Sequence, residues 1–128
     1  MEPSFLTLLE VLEIHADQIE RYGGSPGIRD AGLLESAMAM PSATFGDNYL
    51  HADLFEMAAA YLFHITMNHP FVDGNKRVGA VSALIFLAIN GIEIDADEDV
   101  FEQAVLAVAD GRWDKADIAA FLKENVRP

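Results

Sequence analysis

Apolar positions along the chain recur mainly at intervals of three or four residues, which is the spacing of one face of a helix. The pattern predicts a compact all-α domain of about six helices. The first helix is predicted to begin after Ser4 as its N-cap and to end at Gly23 and Gly24. Its predicted buried face consists of Phe5, Leu8, Leu9, Leu12, Ile19 and Tyr22.

Two later segments, 54–67 and 78–89, are apolar nearly all round. Helices without a polar face belong in the middle of a bundle, so these two are predicted to form its centre. The segment 42–50 has no clear period and contains Phe45 and Tyr49. It is predicted to be a functional loop or a small flap, with ordinary loop packing as the alternative.

Capping residues mark the remaining helices, because Asp and Asn side chains accept hydrogen bonds from the free N–H groups of a first turn. The predicted N-caps of the second and sixth helices are Asp30 and Asp114. The fifth helix is predicted to begin near Asp97, where acidic side chains complement the positive end of its dipole. Pro41 is predicted to stop the second helix, and Gly111 ends the fifth.

Composition narrows the class of protein. The 128 residues are predicted to form a single domain, 1–128, and the absence of cysteine excludes disulfide scaffolds and thiolate chemistry. A net charge of −13 argues against direct nucleic-acid binding, which needs a basic face. The uncharged run 78–92 is too short to cross a bilayer, so no membrane association and a cytoplasmic location are expected.

The most informative segment is the seam between the two central helices, residues 69–77, which reads His-Pro-Phe-Val-Asp-Gly-Asn-Lys-Arg. Pro70 cannot continue the preceding helix, Gly74 supplies conformational freedom, and Asn75 is predicted to cap the next helix. The free N–H groups of residues 74–77 would then form an anion site at the positive end of the helix dipole.

Four side chains of the seam complete the parts needed to transfer a phosphorus-containing group. Lys76 and Arg77 add positive charge to the anion site, although cations in a first turn have the wrong sign for the dipole. Asp73 can hold Mg²⁺ that bridges phosphate oxygens. His69 can accept a proton from an attacking hydroxyl near neutral pH.

Structural explanations compete with these functional ones. Phe71 and Val72 are predicted to anchor the seam in the core, and Lys76 and Arg77 could simply pair with nearby acids such as Asp73. His69 taken alone would be read as a hydrogen-bonded core histidine. The other histidines, His15, His51 and His64, are expected to be structural or surface residues.

The seam resembles the signature of the Fic/Doc (Fido) superfamily, and specifically its Doc, or death-on-curing, branch. Fic members typically carry Gly where Lys76 stands and a second arginine where Ala80 stands, and both departures match the Doc branch. Upstream residues 27–37 and Pro41 also resemble that branch. Arg29 and Asp30 within this stretch are expected to organise the turn before the second helix.

The resemblance implies a six-helix Fido fold and a toxin that transfers the γ-phosphate of ATP, with Mg²⁺, to a Ser or Thr hydroxyl of a protein target. It also implies elongation factor Tu as that translation-factor target and a Phd-like antitoxin as inhibitor. By position, His69 would be the general base and Asp73 the Mg²⁺ ligand. The implied nucleotide-binding residues are Phe71, Gly74, Asn75, Lys76 and Arg77.

Two alternatives stay open. The same residues would serve transfer of AMP to a protein hydroxyl, as in Fic enzymes, although Lys76 and the missing second arginine favour γ-phosphate transfer. The other alternative is a catalytically silent module that binds a partner. The inhibitory pattern of many Fic proteins, [ST]-x-x-x-E-[GN], is absent, because Ala120 lies four residues before Glu124. Inhibition is therefore expected from a separate protein.

Overall fold

A computed structural model describes residues 2–128 and confirms the all-α prediction. Six helices and one two-stranded hairpin follow one another along the chain. Their bounds are α1 Leu8–Tyr22, α2 Ala31–Ala39, β1 Thr44–Phe45, β2 Asn48–Tyr49, α3 Leu54–Asn68, α4 Asn75–Ile89, α5 Glu98–Ala109 and α6 Lys115–Glu124. Within residues 2–128, none of these helices has the length and hydrophobicity needed to cross a membrane.

Helices α3 and α4 form the centre of the bundle, as their uniformly apolar sequences predict. The middle of α3, from Met57 to Leu62, is almost entirely inaccessible to solvent. Gly79 of α4 lets the two helices approach closely, because a Cβ atom there would lie 2.9 Å from Thr66 Oγ1 and 3.0 Å from the Leu62 carbonyl oxygen. The seam 69–77 connects these two closely packed helices.

Helix α1 begins later than predicted, and its N-cap is Thr7 rather than Ser4. The Thr7 hydroxyl accepts a hydrogen bond from the Glu10 N–H, and the Glu10 carboxylate accepts one from the Thr7 N–H. This reciprocal capping box satisfies two N–H groups that would otherwise lack partners. Ser4 instead exchanges hydrogen bonds with the side chain of Asn90 at the end of α4.

The buried face of α1 also differs from the prediction. Leu9 is 65% exposed, and Leu8 and Tyr22 are exposed as well. The residues that face the bundle are spaced at i, i+3, i+4 and i+7, and two of them are polar: Val11, Ile14, His15 and Gln18. An apolar count misses a stripe of this kind, because His15 and Gln18 are buried only through contacts with distant parts of the chain.

The predicted N-caps of α2 and α6, Asp30 and Asp114, are confirmed. The side chains of Asp30, Asp97 and Asp114 each accept hydrogen bonds from N–H groups in the first turns of α2, α5 and α6. Asp53 does the same for α3. These caps place the starts of α2, α3, α5 and α6 within one residue of their predicted positions.

The segment 42–50 forms the hairpin, which lies at the far end of α4 from the seam. Tyr49 packs against Phe5, and Phe5 stacks on Phe86 in the last turn of α4. Since α4 has 15 residues, its ends are about 22 Å apart. Phe45 in the hairpin is 83% exposed, but the hairpin does not adjoin the seam.

A cluster of His51, His64 and Lys115 ties the chain before α3, α3 itself and α6 together. The Lys115 Nζ lies 3.3 Å from His51 Nε2 and 3.1 Å from His64 Nε2. Burial, followed by the positive charge of Lys115, lowers the pKa of His64 to about 4 and also lowers that of His51. The two imidazoles are therefore neutral acceptors for the ammonium group.

We expect His64→Gln to make the protein less sensitive to acid. An unfolded chain protonates this imidazole near pH 6.5, whereas the folded protein does so only near pH 4. Between these values the unfolded state binds more protons, so folding stability decreases as the pH falls through this window. Glutamine can still accept from Lys115 but does not titrate. Urea unfolding at stepped pH should show a shallower slope for the variant.

A second variant, Lys115→Met, tests the cause of the shift. Removing the ammonium group takes away one of the three causes, which are burial, Lys115 and His51, so the pKa of His64 should rise and the acid-sensitive window should narrow. Equal slopes for His64→Gln and the unmodified protein between pH 6.5 and pH 4 would contradict the proposed origin of the acid sensitivity.

Candidate active site

His69 stands at the point where α3 ends and the seam begins. Its N–H donates to the Ile65 carbonyl and closes the last turn, while its backbone adopts the left-handed conformation, φ 52° and ψ 53°. Among residues 2–128 it is the one non-glycine residue with positive φ. Such a backbone is strained for an L-residue and is characteristic of functional sites. The imidazole is exposed, as a proton acceptor requires.

The connection between α1 and α2 runs antiparallel to the seam, which the sequence analysis did not predict. The Val72 N–H donates to the Gly27 carbonyl at 3.0 Å, and the Arg29 N–H donates to the Pro70 carbonyl at 2.7 Å. Ile28 and Phe71 form the bridge between the two segments. Residues 23–29, rather than the hairpin, therefore border the seam.

The first turn of α4 has no side-chain cap, whereas the other five helices each have one. Gly74 occupies the N-cap position with φ 82°, a conformation that glycine adopts without strain. The N–H groups of residues 75, 76 and 77 have no hydrogen-bond partner within residues 2–128. A missing cap costs about 1 kcal/mol, so the three free donors lower the stability of α4 and are available to bind an anion.

Asn75 is not the N-cap, which corrects the prediction. It is the first residue of α4, and its buried side chain turns back to Phe71, whose N–H donates to Asn75 Oδ1 at 2.9 Å. Asn75 Nδ2 in turn donates to the Phe71 carbonyl at 3.0 Å. Both polar atoms of the side-chain amide are engaged, so the side chain fixes the shape of the seam. The backbone N–H of Asn75 is the group left for a ligand.

Phe71 anchors the seam as predicted, and the residue it packs on is His15 of α1. The two rings stack with centroids 4.0 Å apart and an interplanar angle of 7°. His15 Nε2 also lies 3.0 Å from the Asp73 carbonyl oxygen, which makes it a direct support of the seam. The Phe71 ring is fully buried, so its implied role in nucleotide binding stays a prediction. Val72 is 49% exposed and does not anchor the seam, contrary to prediction.

The Asp73 carboxylate is held by two backbone N–H groups. Asp73 Oδ2 accepts from Ser25 at 3.2 Å, and Oδ1 accepts from Gly74 at 2.9 Å. These bonds, in that order, and then the charges of Arg77 and His15 lower the pKa of Asp73. An exposed, ionised carboxylate with a fixed orientation is the oxygen donor that a hard cation requires.

The two cations of the seam have different surroundings. The Arg77 guanidinium donates to the carbonyls of Gln18 and Gly23 at the C-terminal end of α1, at 3.4 Å and 3.0 Å, and lies over the Tyr22 ring. Lys76 is exposed and forms no ion pair within the part of the chain that the structure describes. Neither forms the predicted alternative pair with Asp73, so Lys76 is the cation available to a ligand.

A cavity of about 360 Å³ collects the predicted residues at one place. Thr66 and Ala109 complete its lining, and the predicted members are His69, Asp73, Gly74, Asn75, Lys76 and Arg77. The structure therefore brings together the candidate base, the carboxylate, the free N–H groups and the free ammonium group.

The donor set at this cavity fits a magnesium ion shared with a nucleotide. Within residues 2–128, no three His, Asp or Glu side chains converge on one point. Mg²⁺ is commonly bound through one or two carboxylates, with phosphate oxygens and water completing its octahedral shell. Asp73 supplies one such carboxylate beside the N–H groups that would hold the phosphates.

Comparison with known sequences gives the class of protein that this fold and cavity belong to. A sequence model of the Fic/DOC family matches residues 5–87, well over half of the chain, and the chain therefore belongs to that family. The matched region contains α1 to α3, the seam and most of α4.

The similarity is specifically to the Doc branch. The chain is 44% identical over 79 residues to Toxin Doc of Mycolicibacterium smegmatis, covering 62% of this chain and 61% of that protein. It is 39% identical over 85 residues to Protein kinase doc of Escherichia phage P1, covering 66% of this chain and 67% of the phage protein. The chain thus aligns with about three fifths to two thirds of the length of these relatives.

Gly24→Ala tests how the Asp73 carboxylate is held. A Cβ atom at Gly24 would lie 2.7 Å from Asp73 Oδ2, so the carboxylate must move and lose the Ser25 bond. Because that bond is the largest cause of the lowered pKa, we expect the pKa of Asp73 to rise toward its ordinary range. A carbon-13 NMR titration of the carboxyl group measures this change.

Gly23→Ala is the matched control. Gly23 also has positive φ, but a Cβ atom there meets nothing within 4 Å. It therefore shares a conformational cost of about 1–3 kcal/mol without touching Asp73. If both variants shift the Asp73 titration equally, steric displacement of the carboxylate is not the cause.

Proposed function

We propose that this protein is a Doc-type toxin that transfers the γ-phosphate of ATP to a Ser or Thr hydroxyl of a protein target. The observation that carries the proposal is the uncapped start of α4, whose three free N–H groups lie beside the unpaired Lys76. The same cavity contains His69 and Asp73. Phosphoryl transfer needs little covalent participation by the protein, and such positioning and electrostatic groups are its main requirement.

In the proposed reaction, the N–H groups of residues 75–77 and the ammonium group of Lys76 bind the phosphates and orient the γ-phosphorus. The target hydroxyl oxygen forms a bond to that phosphorus, and the bond to the bridging oxygen breaks, so that ADP leaves with the electron pair. His69 accepts the hydroxyl proton. Asp73 would hold Mg²⁺, which neutralises phosphate charge when bound.

Transfer of the γ-phosphate is favoured over transfer of AMP by two residues. Lys76 occupies the position at which Fic enzymes typically carry glycine, and it adds a charge at the first turn of α4. Ala80 stands where those enzymes carry a second arginine, so one clamp for the other nucleotide pose is missing. The name of the phage P1 relative, Protein kinase doc, supports the same choice.

The proposal extends to the partners of the protein. The Mycolicibacterium relative is named Toxin Doc, which supports a toxin function for similar chains. We infer a toxin in this chain too, with a translation factor, elongation factor Tu, as target. A Phd-like antitoxin is the proposed inhibitor, since residues 120–125 lack the internal inhibitory pattern.

Incubation with ATP labelled at either the α- or the γ-phosphate tests the reaction, with purified elongation factor Tu as acceptor. We expect label on the acceptor from the γ position only. His69→Ala should reduce that transfer about 10²- to 10⁴-fold, because a positioned general base contributes that much. Label retained from the α position would establish AMP transfer instead, and no transfer of either label would favour the silent module.

Asp73→Asn tests the proposed Mg²⁺ ligand. The substitution keeps the shape of the side chain but removes its charge, so Mg²⁺-dependent ATP binding should weaken by an order of magnitude or more. Calorimetric titration of ATP with and without Mg²⁺ measures this. Asp47→Asn, at the exposed hairpin turn, is the matched control and should leave the Mg²⁺ dependence unchanged. The same Mg²⁺ dependence in Asp73→Asn and the unmodified protein would contradict the assignment.

A further inference from the structure

We propose that Arg29 is a positioning residue that holds His69 in its reactive orientation, an inference that rests on the proposed function. The Arg29 Nε donates to the His69 carbonyl oxygen at 2.6 Å, and Nη2 donates to the Asn68 carbonyl oxygen at 3.0 Å. These are carbonyls at the C-terminal end of α3, which lack partners inside the helix. Arg29 thus binds the chain at the residue that carries the base.

The backbone next to Arg29 reinforces this contact. The N–H groups of Arg29 and Asp30 donate to the Pro70 carbonyl at 2.7 Å and 3.0 Å. Three successive carbonyls, those of residues 68, 69 and 70, therefore receive four hydrogen bonds from two adjacent residues. The orientation of all three peptide groups around His69 is set by the connection between α1 and α2.

This fixation matters because the His69 backbone is strained. A histidine at φ 52° persists only when its surroundings stabilise that conformation. The direction of the imidazole depends on the His69 backbone angles, so a relaxed peptide would turn the ring away from the hydroxyl it deprotonates. The planar guanidinium suits this task, since its fork binds two carbonyls at once and a lysine ammonium does not match that geometry.

Arg29 acts through the backbone rather than on the nucleotide. It does not line the cavity that contains His69, Asp73 and Lys76. Its guanidinium also forms no salt bridge within residues 2–128, so its described contacts are those with the end of α3. Loss of Arg29 should therefore affect the chemical step and leave the binding of ATP unchanged.

The kinetic test compares Arg29→Ala and Arg29→Lys with the unmodified protein. We expect kcat to fall about 10- to 100-fold in Arg29→Ala, the size of effect produced by small misplacements of reacting groups, with KM for ATP within about twofold. Arg29→Lys should recover part of the loss. The control is Arg21→Ala, since Arg21 is exposed and pairs only with Asp17 within the described residues.

A double-mutant cycle separates positioning from an independent role. If Arg29 acts through His69, the variant lacking both side chains should be no slower than His69→Ala alone. Multiplicative losses, or a rise in KM for ATP with unchanged kcat, would overturn the inference. Thermal unfolding shows whether each variant is folded. If Arg29→Ala is not folded, Arg29→Lys replaces it in the cycle.

An NMR measurement tests the positioning even if the proposed reaction is wrong. The three-bond coupling between the amide and α protons of His69 reports its φ angle, and the ring signals report the surroundings of the imidazole. Both should change in Arg29→Ala and Arg29→Lys and remain unchanged in Arg21→Ala. Unchanged His69 signals in both Arg29 variants would overturn the positioning role, whereas changed signals without any transferase activity would count against the proposed function alone.

Discussion

The start of α4 combines three destabilising features, and the rest of the seam is organised around them. It lacks a side-chain cap, it carries Lys76 and Arg77 at the positive end of the helix dipole, and it has no acidic residue in its first turn. A missing cap and one unfavourable charge, that of Lys76, cost about 2 kcal/mol in sum. The two hydrogen bonds between the Asn75 side chain and Phe71 offset about 1–3 kcal/mol of this. The helix is thereby stabilised by contacts that leave its first N–H groups free.

Helix α1 supplies the second part of this arrangement. His15 stacks on Phe71 and reaches the Asp73 carbonyl, and the α1 carbonyls of Gln18 and Gly23 receive the Arg77 guanidinium. The positive charge of Arg77 is therefore directed toward the negative end of the α1 dipole, where it is favourable. The seam is therefore held by contacts with α1 rather than by a cap that would occupy the first N–H groups of α4.

The amino-acid pattern predicted the six helices, the N-caps of α2 and α6 and the clustering of the seam residues, since each depends on neighbours a few positions apart. It did not predict the buried stripe of α1, because His15 and Gln18 are buried by contacts with residues about 58 positions away. Asn75 was misassigned as the N-cap of α4, because its side-chain amide bonds to the backbone of Phe71 and not to an N–H group of the first turn. The border formed by residues 23–29 was missed, as its pairing with the seam spans about 40 positions or more.

One short segment governs both ends of the proposed chemistry. The connection between α1 and α2 orients the Asp73 carboxylate through the Ser25 N–H and the His69 backbone through the Arg29 side chain. Ser25 and Arg29 are only four residues apart. The segment is largely exposed and includes three glycines with positive φ, Gly23, Gly24 and Gly27. A partner that drew this segment outward would displace the carboxylate and the imidazole together without itself entering the cavity between them.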